Sequence, residues 1–243
     1  MKSLDINTSG TRWEIVDNQL VSPLTTVKGL GWAAIEELIH KRPFESVEDL
    51  LFDKGVVARK VNKKSLDALC RAGAMECLMD DRFFGTKHFW SAVVVDKPKN
   101  KKKLDQNIEK YRDEGNFTKA EIIAHYKALT GIYPINMVVP VKAYEFFEMH
   151  GIPPISEYDS DLGKCWCVPT EVLQKKTKTG KPYFMVKVID SNMEERKINC
   201  WGVDPNKDFI YVNKLYVLEW PQFNQTWGFS TRGDLNRTWK MLG

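Results

Sequence analysis

The spacing of apolar residues changes near residue 164, and this change constrains the fold more than any other feature of the sequence. Between Leu24 and about Leu78, apolar residues recur at intervals of three and four, which is typical of short amphipathic helices. From Lys164 onward they alternate with polar residues, which is typical of half-buried strands. The sequence therefore predicts an α+β protein of several domains, with a helical bundle first and a β-barrel last.

Turn signals, helix caps and runs of charge predict where these regions begin and end. Ser46, Asn62 and Thr118 each precede an apolar-periodic run and are predicted N-caps, and residues 1–23 are predicted to form a short hairpin or an extended lead-in. Residues 96–103, DKPKNKKK, hold five lysines and no apolar side chain, so we expect a solvated linker there. Five short strands after Lys164 fit a small closed barrel of the OB type. The predicted regions are a lead-in at 1–23, a helical domain at 24–95, the basic linker at 96–103, a helical connector at 104–163, the barrel at 164–231 and a tail at 232–243.

Composition excludes several classes of protein. No apolar run approaches the roughly 20 residues that cross a bilayer, and the first residues, MKSLDINTSG, lack the apolar core of a signal peptide. Five cysteines over 243 residues do not form a disulfide framework. We therefore expect a cytoplasmic protein with free thiols and no membrane partner.

The formal net charge of +4 conceals an uneven distribution of charge. Residues 54–64, 97–103 and 172–189 each hold five Lys or Arg and no Asp or Glu, so the rest of the chain is acidic. Concentrated positive charge of this kind favours a polyanionic partner.

The sharpest local motif is LTTVKGLGWAAIEELI, residues 24–39. Its Gly-apolar-Gly turn has the spacing of a helix-hairpin-helix element, in which the start of the second helix can bind a phosphate of the DNA backbone. The alternative is that the glycines only join two helices. The residues that we expect to contact the backbone are Lys28, Gly29 and Gly31, then Lys60 and, at the start of a second helical unit over 61–78, Lys63 and Lys64. A solvated basic face is the alternative reading of the second group.

The barrel sequence places lysines and aromatic rings on one outer face. The first hairpin turn carries Lys175, Lys176, Lys178 and Lys181. Strand alternation then sends Phe184 and Ile198 inward and a set of polar and aromatic residues outward, namely Tyr183, Lys187, Lys197 and Trp201. Such a face suits single-stranded nucleic acid, because any base can stack on a ring while lysines bind phosphates. Alternatively, the rings cover a hydrophobic rim or pack on a neighbouring domain. Phe223, Trp227 and Phe229 are secondary candidates.

No arrangement of residues predicts catalysis or a cofactor. Cys165, Cys167 and Cys200 lack the fourth ligand and the spacing of a zinc site, so we expect buried thiols. The histidines are scattered, and the sequence contains no P-loop and no nucleophile-base pair. We predict no catalytic residue, metal or cofactor in this chain.

Taken in order, several segments resemble the C-terminal portion of the alpha subunit of the bacterial-type replicative DNA polymerase III, the C family. LDINTSGTRWEI resembles the end of the fingers region, and VKGLGWAAIEELI, RPFESVEDLL and KVNKKSLDALCRAGAME resemble a tandem helix-hairpin-helix domain. LTGIYPINMVVPVKAYEFFEMHGIPPISEY resembles the connecting segment, and KKTKTGKPYFMVKVIDSNMEERKINCWG resembles the OB domain.

The resemblance implies a non-catalytic part of such a polymerase, with primer-template duplex on the hairpin domain and single-stranded template on the barrel. The partners it implies are DNA and a catalytic subunit or upstream domains. The catalytic palm would lie before Met1, so we expect a separately encoded piece, as in a split or phage-type replisome in the host cytoplasm, or a truncated chain. The family's clamp-binding peptide is poorly matched by QNIEKY at 106–111, so a sliding clamp is not predicted. The alternative function is an adaptor that docks on a polymerase core with little DNA contact, whereas a stand-alone enzyme is disfavoured.

Overall fold

Helices occupy the first half of the chain and strands the second, as the change in apolar spacing predicts. The computed structural model describes residues 4–16 and 18–242. The chain divides into two units, Met1–Tyr133 and Pro134–Gly243. Within the described ranges, no helix has the length and apolar character needed to cross a membrane.

The first unit begins with a small hairpin and continues as helices. Strands β1 and β2 pair antiparallel, with Ile15 opposite Leu20, so the lead-in is a hairpin, one of the two forms predicted for it. Short 3₁₀ or π-helical turns lie at Leu24–Thr26, Asp49–Asp53, Glu76–Leu78, Ser91–Val95 and Arg112–Glu114. The strands and helices are β1 (Glu14–Val16), β2 (Gln19–Val21), α1 (Trp32–Lys41), α2 (Lys63–Arg71), α3 (Thr86–Trp90), α4 (Lys101–Lys110) and α5 (Lys119–Thr130).

Side-chain caps define where these helices begin. Asn62 accepts a hydrogen bond from the Ser65 N–H at the start of α2, and Thr118 forms a capping box with Glu121 at the start of α5. Ser46 accepts the Asp49 N–H at the start of the helical turn that follows it. All three caps were predicted, because a short polar side chain just before an apolar-periodic run satisfies N–H groups that the helix leaves free.

The helices bury one apolar cluster. Leu38, Leu66 and Leu69 are at most 1% exposed, and they pack with residues of α3 and α4 such as Phe89 and Leu104. Each such side chain contributes on the order of 1.5–3 kcal/mol through its removal from water. The three- and four-residue spacing in the sequence is therefore the inner face of this bundle.

The structure corrects the prediction of a solvated linker at 96–103. Pro98 is buried and Lys101–Lys103 already form the first turn of α4, because Asn100 caps that helix by accepting the Lys103 N–H. The lysines hid this cap, which is followed by the apolar residues Leu104 and Ile108 that α4 packs into the core. Residues 104–133, predicted as part of a connector, belong to the first unit.

The second unit is a helix followed by a seven-stranded sheet. Its elements are α6 (Val141–Met149), β3 (Lys164–Lys176), β4 (Pro182–Ile189), β5 (Arg196–Trp201), β6 (Leu215–Glu219), β7 (Gln222–Asn224), β8 (Gly228–Arg232), α7 (Leu235–Thr238) and β9 (Trp239–Leu242). The strand order is β7-β8-β5-β4-β3-β6-β9. Strands β5 and β8 are parallel and the other pairs are antiparallel.

The sheet is strongly curled. The first part of β3 pairs with β6 and the later part with β4, with a shift of register between Pro169 and Glu171 that bends the strand. The ends of β8 and β9 are only seven residues apart in the chain, Arg232 and Trp239. In a flat sheet they would lie about 24 Å apart, whereas a connection that contains α7 reaches about 16 Å. Curling lets both halves of the sheet contribute to one core, in which Cys167, Val186, Ile198 and Leu218 are completely buried.

The structure corrects the predicted count of five strands and the predicted tail. Residues 222–232 form a hairpin of two strands, since Asn224 and Gly228 pair at its turn. The last strand is interrupted at Gly233, which has a φ of +88°, and it resumes as β9 beside β6. Residues 232–242 thus contain the end of β8, α7 and the edge strand β9, and Leu235 and Trp239 belong to the core of the sheet. The strand pairing in the described residues does not establish a closed five-stranded barrel.

Candidate nucleic-acid interface

The glycine turn of the first unit has the geometry of a helix-joining hairpin. Gly29 has a φ of +90°, a conformation that side chains other than glycine adopt only with strain. Leu30 between the glycines is buried and anchors the turn in the core. Gly31 is extended, with φ −76° and ψ 157°, and it is the N-cap of α1.

The start of α1 presents free N–H groups to solvent. Ala34 and Ile35 donate to the Gly31 carbonyl, but no acceptor for the N–H groups of Gly31, Trp32 and Ala33 occurs among residues 4–16 and 18–242. All three residues are exposed. Gly31 has no side chain to cap the helix, so these donors and the positive end of the helix dipole remain available to an anion.

Of the predicted lysines near this turn, Lys64 and Lys28 lie beside it, whereas Lys63 is directed elsewhere. The Lys64 side chain of α2 lies against Gly29, where its Cε is 3.4 Å from the position that a Cβ would take. Lys28 is exposed beside the turn, and its backbone N–H donates to the Leu129 carbonyl at 2.7 Å. Lys63 instead donates to the Val95 carbonyl at 2.6 Å, which directs its ammonium group toward the segment before α4.

Lys60 is held by an ion pair that the sequence did not suggest. Its Nζ lies 2.7 Å from Oε2 of Glu37, a residue of α1 that is only 6% exposed. The Val57 N–H donates to the other oxygen of Glu37 at 3.0 Å. The hydrogen bond from Lys60, and then that from Val57, lower the pKa of the Glu37 carboxyl. The charge of Lys60 is therefore largely balanced by Glu37 and is less available to a ligand.

A row of large outward side chains crosses the sheet of the second unit. Tyr183 on β4 lies opposite Lys175 on β3 and opposite Trp201 on β5, and Trp201 in turn lies beside Arg232 on β8. The rings of Tyr183 and Trp201 contact each other, with centroids 4.5 Å apart and planes 30° apart. Two aromatic rings are thus flanked by two cations. The strand alternation predicts the outward positions of Tyr183 and Trp201, and Lys175 was predicted from the turn, but Arg232 was not predicted.

Lys187 and Lys197 lie four residues farther along the same face and differ in their surroundings. They are opposite each other on β4 and β5. Lys187 is paired with Glu171 at 2.8 Å and with Glu195 at 3.6 Å, and the hydrogen bond to Glu171 raises the pKa of Lys187. Its charge is balanced locally. No acidic partner of Lys197 occurs in the described part of the chain.

The turn between β3 and β4 presents the predicted group of lysines. The Thr177 N–H bonds the Lys181 carbonyl, and the Gly180 N–H bonds the Thr177 carbonyl, so backbone bonds hold the turn. Four exposed lysines surround it and have no ion-pair partner in the ranges that the structure describes, namely Lys175, Lys176, Lys178 and Lys181. The turn adjoins the row of Tyr183 and Trp201, so the lysines and rings form one surface.

The three cysteines of the sheet are buried thiols, as predicted. Burial raises the pKa of Cys165 and of Cys200 to about 12, and it raises that of Cys167 well above the ordinary value of a thiol. No group of three or more residues suited to bind a metal occurs among the described residues. The segment QNIEKY lies mostly in α4, with Asn107 and Ile108 buried in the first unit.

Several exposed residues of these surfaces were not predicted from the sequence. Trp32, directly after Gly31, is 57% exposed and donates from its indole to Glu36. Arg232 could have been found by extending the alternation of Phe229 and Thr231, which are both buried. Of the secondary candidates, Phe229 is buried, whereas Phe223 and Trp227 are exposed on the β7–β8 hairpin.

Comparison with known proteins finds a similarity for the segment that contains the Gly29–Gly31 turn. A family model described as a helix-hairpin-helix motif matches residues 1–83. This range contains the Gly29–Gly31 turn, α1 and α2. The first third of the chain is therefore similar to the helix-hairpin-helix motif.

The same third of the chain is similar to DNA polymerase III subunit alpha proteins. The relative from Thermus aquaticus is 32% identical over 80 residues, which are 31% of this chain and 6% of the relative. The relative from Caulobacter vibrioides is 29% identical over 86 residues, 34% of this chain and 7% of the relative. The relative from Chlamydia pneumoniae is 27% identical over 99 residues, 38% and 8% respectively. The matched segment thus spans less than a tenth of each relative, and it agrees with the resemblance drawn from the residues.

Proposed function

We propose that this chain is a non-catalytic DNA-binding part of a C-family replicative DNA polymerase. The observation that carries the proposal is the hairpin at Gly29 to Gly31. The exposed N–H groups at the start of α1 have no acceptor in the described part of the chain, and the side chain of the exposed Lys64 lies against Gly29. Both are ligands for a phosphate of the DNA backbone, and neither distinguishes one base from another. The hairpin would hold duplex near a primer end, with Lys28 beside it.

The second unit would bind the single-stranded template. In this proposal it is an elaborated OB-type barrel, in which β3, β4, β5, β6 and the split strand formed by β8 and β9 are the five barrel strands. The proposal is supported by the short connection between β8, second from one end of the strand order, and β9 at the other end. The row of Lys175, Tyr183, Trp201 and Arg232 supplies stacking surfaces and phosphate ligands. An aromatic ring contributes on the order of 1–3 kcal/mol for each stacked base.

Fluorescence anisotropy with labelled duplex and labelled single strands tests both assignments. Affinity for each should fall steeply with salt, because lysines that bind phosphates release counterions. The triple variant Lys175/Lys176/Lys178→Ala should weaken single-strand binding and leave duplex binding nearly unchanged. An exposed pair on α5, Lys119/Lys127→Ala, is the matched control. Unchanged single-strand affinity in the triple variant would refute the role of the sheet.

The variant Lys28/Lys64→Gln tests the hairpin and should have the reverse effect on the two kinds of DNA. Duplex affinity should fall and its salt dependence should flatten by about one unit of slope for each lost contact. Single-strand affinity should stay within about twofold of the parent. If the chain binds neither DNA at low salt and copurifies with a catalytic subunit, the adaptor function replaces the present proposal.

A further inference from the structure

Two of the three basic segments meet at a groove that DNA binding by the hairpin does not use. The groove has a volume of about 410 Å³ and lies on the first unit. One side is formed by the apolar residues Phe52, Val56 and Val61, and the other by Lys97, Pro98 and Lys99. Segments 54–64 and 97–103, which are separate in sequence, thus line one depression.

A second, basic depression adjoins the groove. Its volume is about 480 Å³, and it shares Lys97 and Lys99 with the groove while adding Lys102. Its acid, Asp96, is already paired with Lys103 at 3.4 Å and with Lys110 at 3.2 Å. Within residues 4–16 and 18–242, Lys97, Lys99 and Lys102 have no acidic partner. Three uncompensated cations therefore stand beside an apolar surface.

The basic segment is fixed in place against the groove. Lys63 at the start of α2 donates to the Val95 carbonyl at 2.6 Å, and Lys101 at the start of α4 pairs with Asp53 at 2.7 Å. Pro98 is buried between these two attachments. The backbone that carries the lysines at the mouth therefore needs little ordering when a ligand binds, which reduces the entropic cost of association.

We infer that this groove binds a segment of a partner protein that carries aliphatic or aromatic side chains next to Asp or Glu. The apolar wall would take the apolar side chains, and Lys97, Lys99 and Lys102 would pair with the carboxylates. Nucleic acid fits the groove less well, because the apolar lining is mostly aliphatic and its one ring, Phe52, is partly buried and offers little surface on which a base could stack. The inference is independent of the DNA-binding function proposed above.

A binding experiment with the full chain tests this inference. The probe is a short fluorescein-labelled peptide in which leucine and phenylalanine alternate with aspartate. Two matched peptides replace aspartate by lysine, or leucine and phenylalanine by serine, and a single-stranded oligonucleotide of equal length and label is the fourth probe. The first peptide should bind measurably, and each matched peptide should bind at least about tenfold more weakly.

Variants of the chain locate the bound peptide. Lys97/Lys99→Gln should weaken the acidic apolar peptide about three- to tenfold, which corresponds to two exposed ion pairs. Ala58→Trp should weaken it too, because Ala58 is exposed and lines the groove, so that a larger side chain fills the space without removing core. Lys119/Lys127→Gln on α5 should have no effect. Melting temperature confirms that each variant is folded.

Three results would overturn the inference. They are absence of binding by the acidic apolar peptide, equal binding of the serine-substituted peptide, and a loss of oligonucleotide affinity in Lys97/Lys99→Gln as large as the loss of peptide affinity. The third result would assign the groove to DNA.

Discussion

Gly31 is the residue at which binding and folding can be separated. It has a φ of −76°, and no atom lies within 4 Å of where its Cβ would be, so a side chain fits there without strain. As the N-cap of α1, it would accept Asp in particular, since an aspartate caps a helix at least as well as glycine does. The same carboxylate would occupy the N–H groups that a phosphate needs.

Gly31→Asp should therefore keep or raise the melting temperature and lower duplex affinity by about tenfold, or ~1.4 kcal/mol. Thermal melting and duplex anisotropy measure the two effects. Gly31→Asn is the neutral control, which caps the helix without the negative charge and should lose less affinity. Undiminished duplex binding by Gly31→Asp would mean that the start of α1 does not contact phosphate.

At the same scale, the ionisation of Glu37 should make the stability of the protein depend on pH. Its pKa is lowered in the folded state by hydrogen bonds from Lys60 and Val57, so the folded protein favours the ionised form more than the unfolded chain does. Its stabilising contribution is present above the unfolded-state pKa and is lost as the pH falls through the lowered folded-state value.

Lys60→Met should reduce stability at neutral pH and make this acid-dependent loss smaller. Urea unfolding at neutral pH and at acid pH measures both changes. Lys119→Met on the exposed face of α5 is the matched control and should leave the loss as in the parent. An acid-dependent loss of the parent's size in Lys60→Met would show that Lys60 is not the main partner of Glu37.

At the scale of elements, the β3–β4 hairpin carries two kinds of lysine. Lys175 has no acidic partner in the described residues, whereas Lys187 is paired with two glutamates. Lys175→Gln should weaken single-strand binding about two- to fourfold and lower the salt slope by about 0.7, because a phosphate contact is lost. Lys187→Gln should change the affinity much less, since Glu171 and Glu195 already balance that charge. Anisotropy titrations at several salt concentrations distinguish the two variants, and equal losses would contradict the assignment.

Local signals in the sequence predicted the elements more fully than the contacts between them. The caps at Asn62 and Thr118, and the inward and outward faces of β4 and β5, depend on residues a few positions apart, and the structure confirms them. Partners such as Glu37 for Lys60 are distant in the chain or on another strand, so spacing alone could not identify them. The division of the last strand at Gly233 also depends on pairing with β5 and β6, which β4 and β3 separate in the sheet.

At the scale of the molecule, the two units have separate hydrophobic cores. A core substitution in one should therefore destabilise that unit alone. Ile198→Ala should lower the stability of the second unit by about 2–5 kcal/mol, and Leu69→Ala should do the same for the first, because both side chains are completely buried. Scanning calorimetry should then show two transitions, each moved by only one of the variants. Equal movement of both transitions would show that the units unfold together.

The hydrogen bond from the Lys28 N–H to the Leu129 carbonyl has a practical consequence for dividing the chain. The segment similar to known helix-hairpin-helix proteins stops at residue 83, but the turn it contains is bonded to the end of α5, just before the first unit ends at Tyr133. A fragment cut where the similarity stops would lose this acceptor together with the α4 and α5 side of the core. A fragment designed to express the hairpin domain alone should therefore extend through Tyr133. A fragment that ends at residue 83, where the similarity ends, is expected to fold poorly because it lacks this part of the core.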